Sequence, residues 1–151
     1  MDIFLILFPL SITLFIETGI YMILKHKDLK LFLIVSLMNM VLNPLMNLLI
    51  YIAAYDQASY WAILIIYEIA TTIVESLIIY MFMRFKYLKI LLLAFIANLA
   101  SFLIGVAFTN IYQNKVALIA LMLIFFIGYL ITYLVVLVSF LKKQSKIASN
   151  D

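Results

Sequence analysis

The chain contains no cysteine. Disulfides, thiolate metal sites and cysteine nucleophiles are therefore excluded. There is one histidine, His26, in the charged stretch KHKDLK, so a site built from several histidines is excluded too. Charge is scarce. Only 11% of the 151 residues are charged, against roughly 25% in a soluble domain. So few charges cannot cover a water-facing surface. The first ten residues, MDIFLILFPL, carry an acidic Asp2 where a cleavable leader has a basic region. The first apolar run is therefore expected to stay as a membrane helix.

What the chain has instead is apolar length. The hydrophobic fraction is 69% and the mean hydropathy is +1.27. A spanning helix needs about 20 apolar residues. Polar and charged breaks leave five such runs, at residues 3–24, 31–54, 60–83, 87–109 and 116–141. The expectation is an all-α integral membrane bundle of five transmembrane helices, a multi-pass protein of the cell membrane. Residues 1–141 form a single bundle, and 142–151 a short basic tail that frays. Short loops make consecutive helices antiparallel neighbours.

Basic residues cluster on alternate loops. Lys25, Lys27 and Lys30 follow the first span, Arg84, Lys86 and Lys89 the third, and Lys142, Lys143 and Lys146 the fifth. Lys115 alone falls on the other side. Basic loops stay cytoplasmic, which puts the N-terminus outside and the C-terminus inside. The net charge of +3 is thus a topology signal, and no nucleic-acid partner is expected. Trp61, with Tyr55 and Tyr60, reads as an anchor at the outer interface.

The acids sort differently. Asp2, Asp28, Asp56 and Asp151 lie in loops or termini, but Glu17, Glu68 and Glu75 all lie inside spans, with no basic residue well inside any span. An acid at a helix centre costs roughly 2.5–3.5 kcal/mol and each Leu, Ile, Phe or Val returns roughly 0.3–0.6. The third span has two glutamates against eleven such residues, so its insertion comes out near zero. Acids placed there usually face the bundle interior and mark ion pathways, proton relays or ligand sites.

Helical spacing puts the polar residues on shared faces. Glu68 and Glu75 are seven apart, with Thr71 and Thr72 beside them. Thr13 and Glu17 are four apart. Asn39, Asn43 and Asn47 make one narrow fan around Pro44, and Asn98, Ser101 and Gly105 line up on the fourth span. With alternating direction, Glu17, Asn39 and Glu75 fall at one depth and Glu68 and Asn47 at another, about 10 Å away along the helix. Asn43 and Asn98 lie between. Pro44 cannot donate an N–H and frees the carbonyl of Met40, an added oxygen on the same path. Ser101 with Gly105, and Gly128, suit close helix packing. The fifth span carries no acid or amide and reads as a packing or partner-facing helix.

The segments TLFIE (13–17), NMVLNPLMN (39–47), EIATTIVESLIIY (68–80) and ANLASFLIG (97–105) resemble a group of small bacterial multi-span membrane proteins. The resemblance covers the first four spans and implies no activity. From the residues themselves, the leading expectation is a buried site that binds or conducts a cation or proton in transport. Glu17, Glu68 and Glu75 would hold it, supported by Asn39, Asn43, Asn47, Asn98 and Ser101. All-oxygen donors suit H⁺, Na⁺, Mg²⁺, Ca²⁺ or Mn²⁺. An intramembrane enzyme using paired carboxyls or a carboxylate-bound metal is the second expectation. An accessory or immunity-type subunit that binds another membrane protein is the third. The bundle is small for a transporter, so a homo-oligomer or a larger membrane partner is expected besides the lipid bilayer.

Overall fold

The computed structural model describes residues 4–25, 28–53, 57–83, 85–108 and 114–148. Asp2, His26, Tyr55, Asp56, Arg84 and Asp151 lie outside them. Five helices account for nearly all of the described chain: α1 (Phe4–Lys25), α2 (Leu29–Ala53), α3 (Gln57–Met83), α4 (Tyr87–Ala107) and α5 (Lys115–Ala148). There is no strand among the described residues. All five helices are long and apolar enough to cross a membrane.

Local chemistry sets the helix starts. Asp28 caps α2, its Oδ1 accepting the backbone N–H of Lys30 at 2.8 Å and of Leu31 at 3.3 Å. Asn114 caps α5 through the N–H of Ala117 at 3.1 Å. Both satisfy amides that a first turn leaves without an intrahelical partner. Within the helices, hydroxyls bond back to the preceding turn: Ser11 to Phe8, Thr18 to Leu14, Thr132 to Gly128 and Ser139 to Val135. Such bonds hide a polar group that the surroundings cannot solvate. Residues 142–148, expected as a tail, are helical. They continue α5 to Ala148, because Lys, Gln and Ala are good helix formers and lysines suit the negative end of the helix dipole.

Four helices close a ring. α1 packs on α2, α2 on α3, α3 on α4, and α4 back on α1. The antiparallel register is visible in pairs of side chains: Glu17 meets Asn39 and Thr13 meets Asn43, one residue set rising as the other falls. α5 departs from the sequential order expected. It lies outside the ring, chiefly against α1 and along a shorter stretch of α2. Phe15 meets Phe125 at 5.9 Å, while Phe8 clusters with Leu118, so α1 and α5 run the same way. Phe32 of α2 stacks on Tyr129 of α5, centroids 5.4 Å apart. α1 is thus the central element, with apolar packing on its α5 side and polar residues on the other.

The distribution is inverted relative to a water-soluble bundle. Glu17, Glu75, Asn39, Thr18 and Ser76 are 2% exposed or less, whereas Ile23, Leu88 and Val116 are more than 70% exposed. Polar groups inside and aliphatic ones outside is the arrangement a hydrocarbon solvent selects.

Candidate functional site

The ring encloses a cavity of about 520 Å³. Its polar lining comes from all four ring helices: Thr13 and Glu17 of α1, Asn39, Asn43 and Asn47 of α2, Glu68, Thr71 and Glu75 of α3, and Asn98 and Ser101 of α4. The three glutamates and five supporting residues singled out in the sequence therefore share one space. Among the described residues, no α5 residue lines it, and no Lys, Arg or His does.

Two carboxyls sit at the buried end. Glu17 is 1% exposed, and its two oxygens accept from different helices. Asn39 Nδ2 donates to Oε2 at 2.9 Å, and Ser101 Oγ donates to Oε1 at 2.9 Å. Glu75, 2% exposed, accepts from Asn98 Nδ2 at 2.5 Å. The two amides are held in the same way. Each gives one N–H to the carbonyl four residues back, Val35 or Ala94, at 3.1 Å. That bond fixes the side chain against its own helix and aims the second N–H at the carboxyl, using both donors of the amide.

Ser101 Oγ is also 2.9 Å from the Asn98 carbonyl. A hydroxyl has one proton to donate. When Glu17 is ionised, that proton goes to Glu17. When Glu17 is protonated, its own O–H donates to Ser101 Oγ, and the serine proton turns to Asn98. Both states of the carboxyl are hydrogen-bonded without moving a helix.

Above this pair runs an amide chain. Asn47 Nδ2 donates to Asn43 Oδ1 at 2.8 Å, and Asn43 Nδ2 donates to Thr13 Oγ1 at 2.7 Å. Glu68 stands apart from it. The hydroxyls of Thr71 and Thr72 donate to the Glu68 backbone carbonyl, and among the described residues no donor reaches its carboxyl. Glu68 is partly exposed and lines the cavity.

Several expectations change. Asn98 pairs with Glu75 instead of lying between two layers, because α4 packs against both α3 and α1. Met40 and Pro44 are absent from the cavity wall, so the carbonyl freed by the proline is not part of this path. α2 continues as one helix through Pro44. Gly105 is not a packing glycine: a Cβ there meets nothing within 4 Å, and the residue lines the cavity. Gly128 is one, for a Cβ there would stand 2.6 Å from the Phe15 ring.

The cavity wall also carries aromatic residues, among them Tyr60 and Trp61, which the sequence places as interface anchors. Tyr51 of α2 and Tyr60, Trp61 and Tyr67 of α3 line the same cavity. The signal was present: Tyr60 and Tyr67, and Trp61 and Glu68, are each seven apart, on the helix face that carries Glu75. Among the described residues no group of three His, Cys, Asp or Glu is close enough to hold a metal ion. The three glutamates form a buried pair and a separate, partly exposed carboxyl.

The fold and site together define a class: a bundle of five helices long and apolar enough to cross a membrane, with a carboxyl- and amide-lined cavity in a four-helix ring. No family model matches the chain, and no curated protein or solved structure matches it.

Proposed function

We propose that this protein binds or conducts a cation or proton in transport across the cell membrane, through the cavity bounded by Glu17, Glu68 and Glu75. The observation that carries this reading is the buried pair. Glu17 and Glu75 are almost fully enclosed, each bonded to an amide from another helix, in a cavity that no Lys, Arg or His lines among the described residues. Two carboxyls in such a place need a proton or a cation to be neutralised. Asn39, Asn98 and Ser101 orient them, and Asn43 and Asn47 supply the polar path outward. The basic loops favour an outside N-terminus and a cytoplasmic C-terminus. The hydrogen bond of 3.0 Å from Lys30 Nζ to the Phe82 carbonyl suits that arrangement, since it joins the start of α2 to the end of α3 on one side. α5, outside the ring, is the surface for a second copy or a larger membrane partner.

The test is proton and ²²Na⁺ flux in liposomes containing the protein or its Glu17→Gln, Glu68→Gln or Glu75→Gln variant. Loss of flux in the Glu17 and Glu75 variants is expected. Flux unchanged in all three overturns the proposal.

A further inference from the structure

The cavity is larger than a proton or a bare metal ion requires. Its volume is about 520 Å³, where one water occupies roughly 30 Å³ of liquid and small-molecule pockets run about 300–1,000 Å³. The space is also divided. Amides and a hydroxyl occupy the carboxyls at the buried end, while the other end has a carboxyl without a donor among the described residues and four aromatic side chains.

Those aromatics are Tyr51, Tyr60, Trp61 and Tyr67, and the carboxyl is Glu68. The Tyr60 and Trp61 rings stand at 81° with centroids 5.5 Å apart, the mutual angle of adjoining walls of a box. Tyr51 lies two residues from the end of α2, and Tyr60 and Trp61 lie within the first five residues of α3, so this end is the mouth of the ring. Aromatic faces attract cations that shed water easily, and quaternary ammonium groups are the usual guests of such cages. A carboxyl beside the rings supplies the counter-charge. Among the described residues Glu68 is the one carboxyl at this end, whereas a divalent ion prefers several charged oxygen ligands.

We infer that the outer half of the cavity binds an organic cation of the alkylammonium class, with Glu68 as its counter-ion and Tyr51, Tyr60, Trp61 and Tyr67 as its wall. This rests on the reading of the cavity as a cation site and names the cation. The head group lies against Glu68 and the rings, and its apolar substituents extend along Leu64. The amide-bound pair, Glu17 and Glu75, remains below it.

Trp61 is the sole tryptophan and so reports on its own site. The experiment is titration of the purified full chain in detergent with tetrapropylammonium, read by Trp61 fluorescence, beside ²²Na⁺ and proton binding on the same samples. A saturable change is expected. Glu68→Gln is expected to weaken it at least tenfold, and Tyr67→Ala at least fivefold. Tyr67→Phe, which keeps the ring, is expected to stay within twofold and serves as the variant least exposed to misfolding. Two results overturn the inference: no saturable tetrapropylammonium signal, or equal affinity in the wild type and Glu68→Gln. If that happens while Na⁺ or protons still bind and Glu17→Gln or Glu75→Gln abolishes their binding, the cation site stands and only its organic ligand is lost. If nothing binds, both readings fall.

Discussion

Ser101 and Glu17 are separated by 84 residues of chain, and their side-chain oxygens are 2.9 Å apart. This bond ties α4 to α1 at the buried end of the cavity, beside the Asn39 bond that ties α2 to the same carboxyl. Glu17 is the point where three helices of the ring meet, so its neighbours set both the shape of the cavity and the cohesion of the ring.

Ser101→Ala is expected to destabilise the protein by about 0.5–2 kcal/mol, the range of inter-helix hydrogen bonds in membranes. A double-mutant cycle with Glu17→Met separates the bond from packing effects. The two losses are expected to be non-additive by a comparable amount, measured by reversible unfolding in mixed detergent. Additive losses would place the stabilisation elsewhere.

The glycines make a second contrast. Gly128→Leu drives a side chain into the Phe15 ring, whose atoms lie 2.6–3.1 Å from the position of a Cβ. A loss of about 1–3 kcal/mol is expected, as for other overpacked sites, with partial recovery in the Phe15→Ala double variant. Gly105→Ala meets nothing within 4 Å and gains helix propensity of up to about 1 kcal/mol. Thermal unfolding of the two single variants should therefore shift in opposite directions.

Pro44 and Asn43 are adjacent in sequence but differ in what they face. Asn43 lines the cavity and Pro44 does not. Pro44→Ala is expected to leave cation or proton binding within about twofold. Asn43→Ala, which removes the link from Asn47 to Thr13, is expected to weaken it several-fold. Loss of binding in Pro44→Ala with Asn43→Ala unaffected would reverse the assignment of the two residues.

Asp28 tests the boundary of α2. Its carboxylate accepts two first-turn N–H groups, and replacing such a cap by Ala costs about 1 kcal/mol. Asp28→Asn, which keeps the acceptor, should retain most of that stability in the same denaturation assay, and faster amide exchange in Asp28→Ala should be confined to the first turn of α2.

Much of this could be read from one dimension. Apolar runs broken by charged stretches located all five helices, with ends shifted by a few residues except where α5 runs on through its lysines. The spacing of Glu68 and Glu75, of Thr13 and Glu17, and of the three asparagines put polar groups on common faces. Those faces do line one cavity. The aromatic wall was legible in the same heptad spacing, but tyrosine and tryptophan near a span end have a ready alternative as interface anchors.

Partnership was not legible. Depth along a span placed Asn39 beside Glu17, which is where its amide donates. Depth alone left Asn98 between two layers, whereas α4 brings it to Glu75. The sequence by itself determined that the chain has five runs long and apolar enough to cross a membrane and that its glutamates lie within them, because hydropathy and helical period are local properties. Only the tertiary structure decided that α5 stands outside the ring, that Pro44 faces away from the cavity, and which amide serves which carboxyl. Those depend on how each helix is rotated about its axis and on which helices touch, and packing between segments far apart in the chain fixes both.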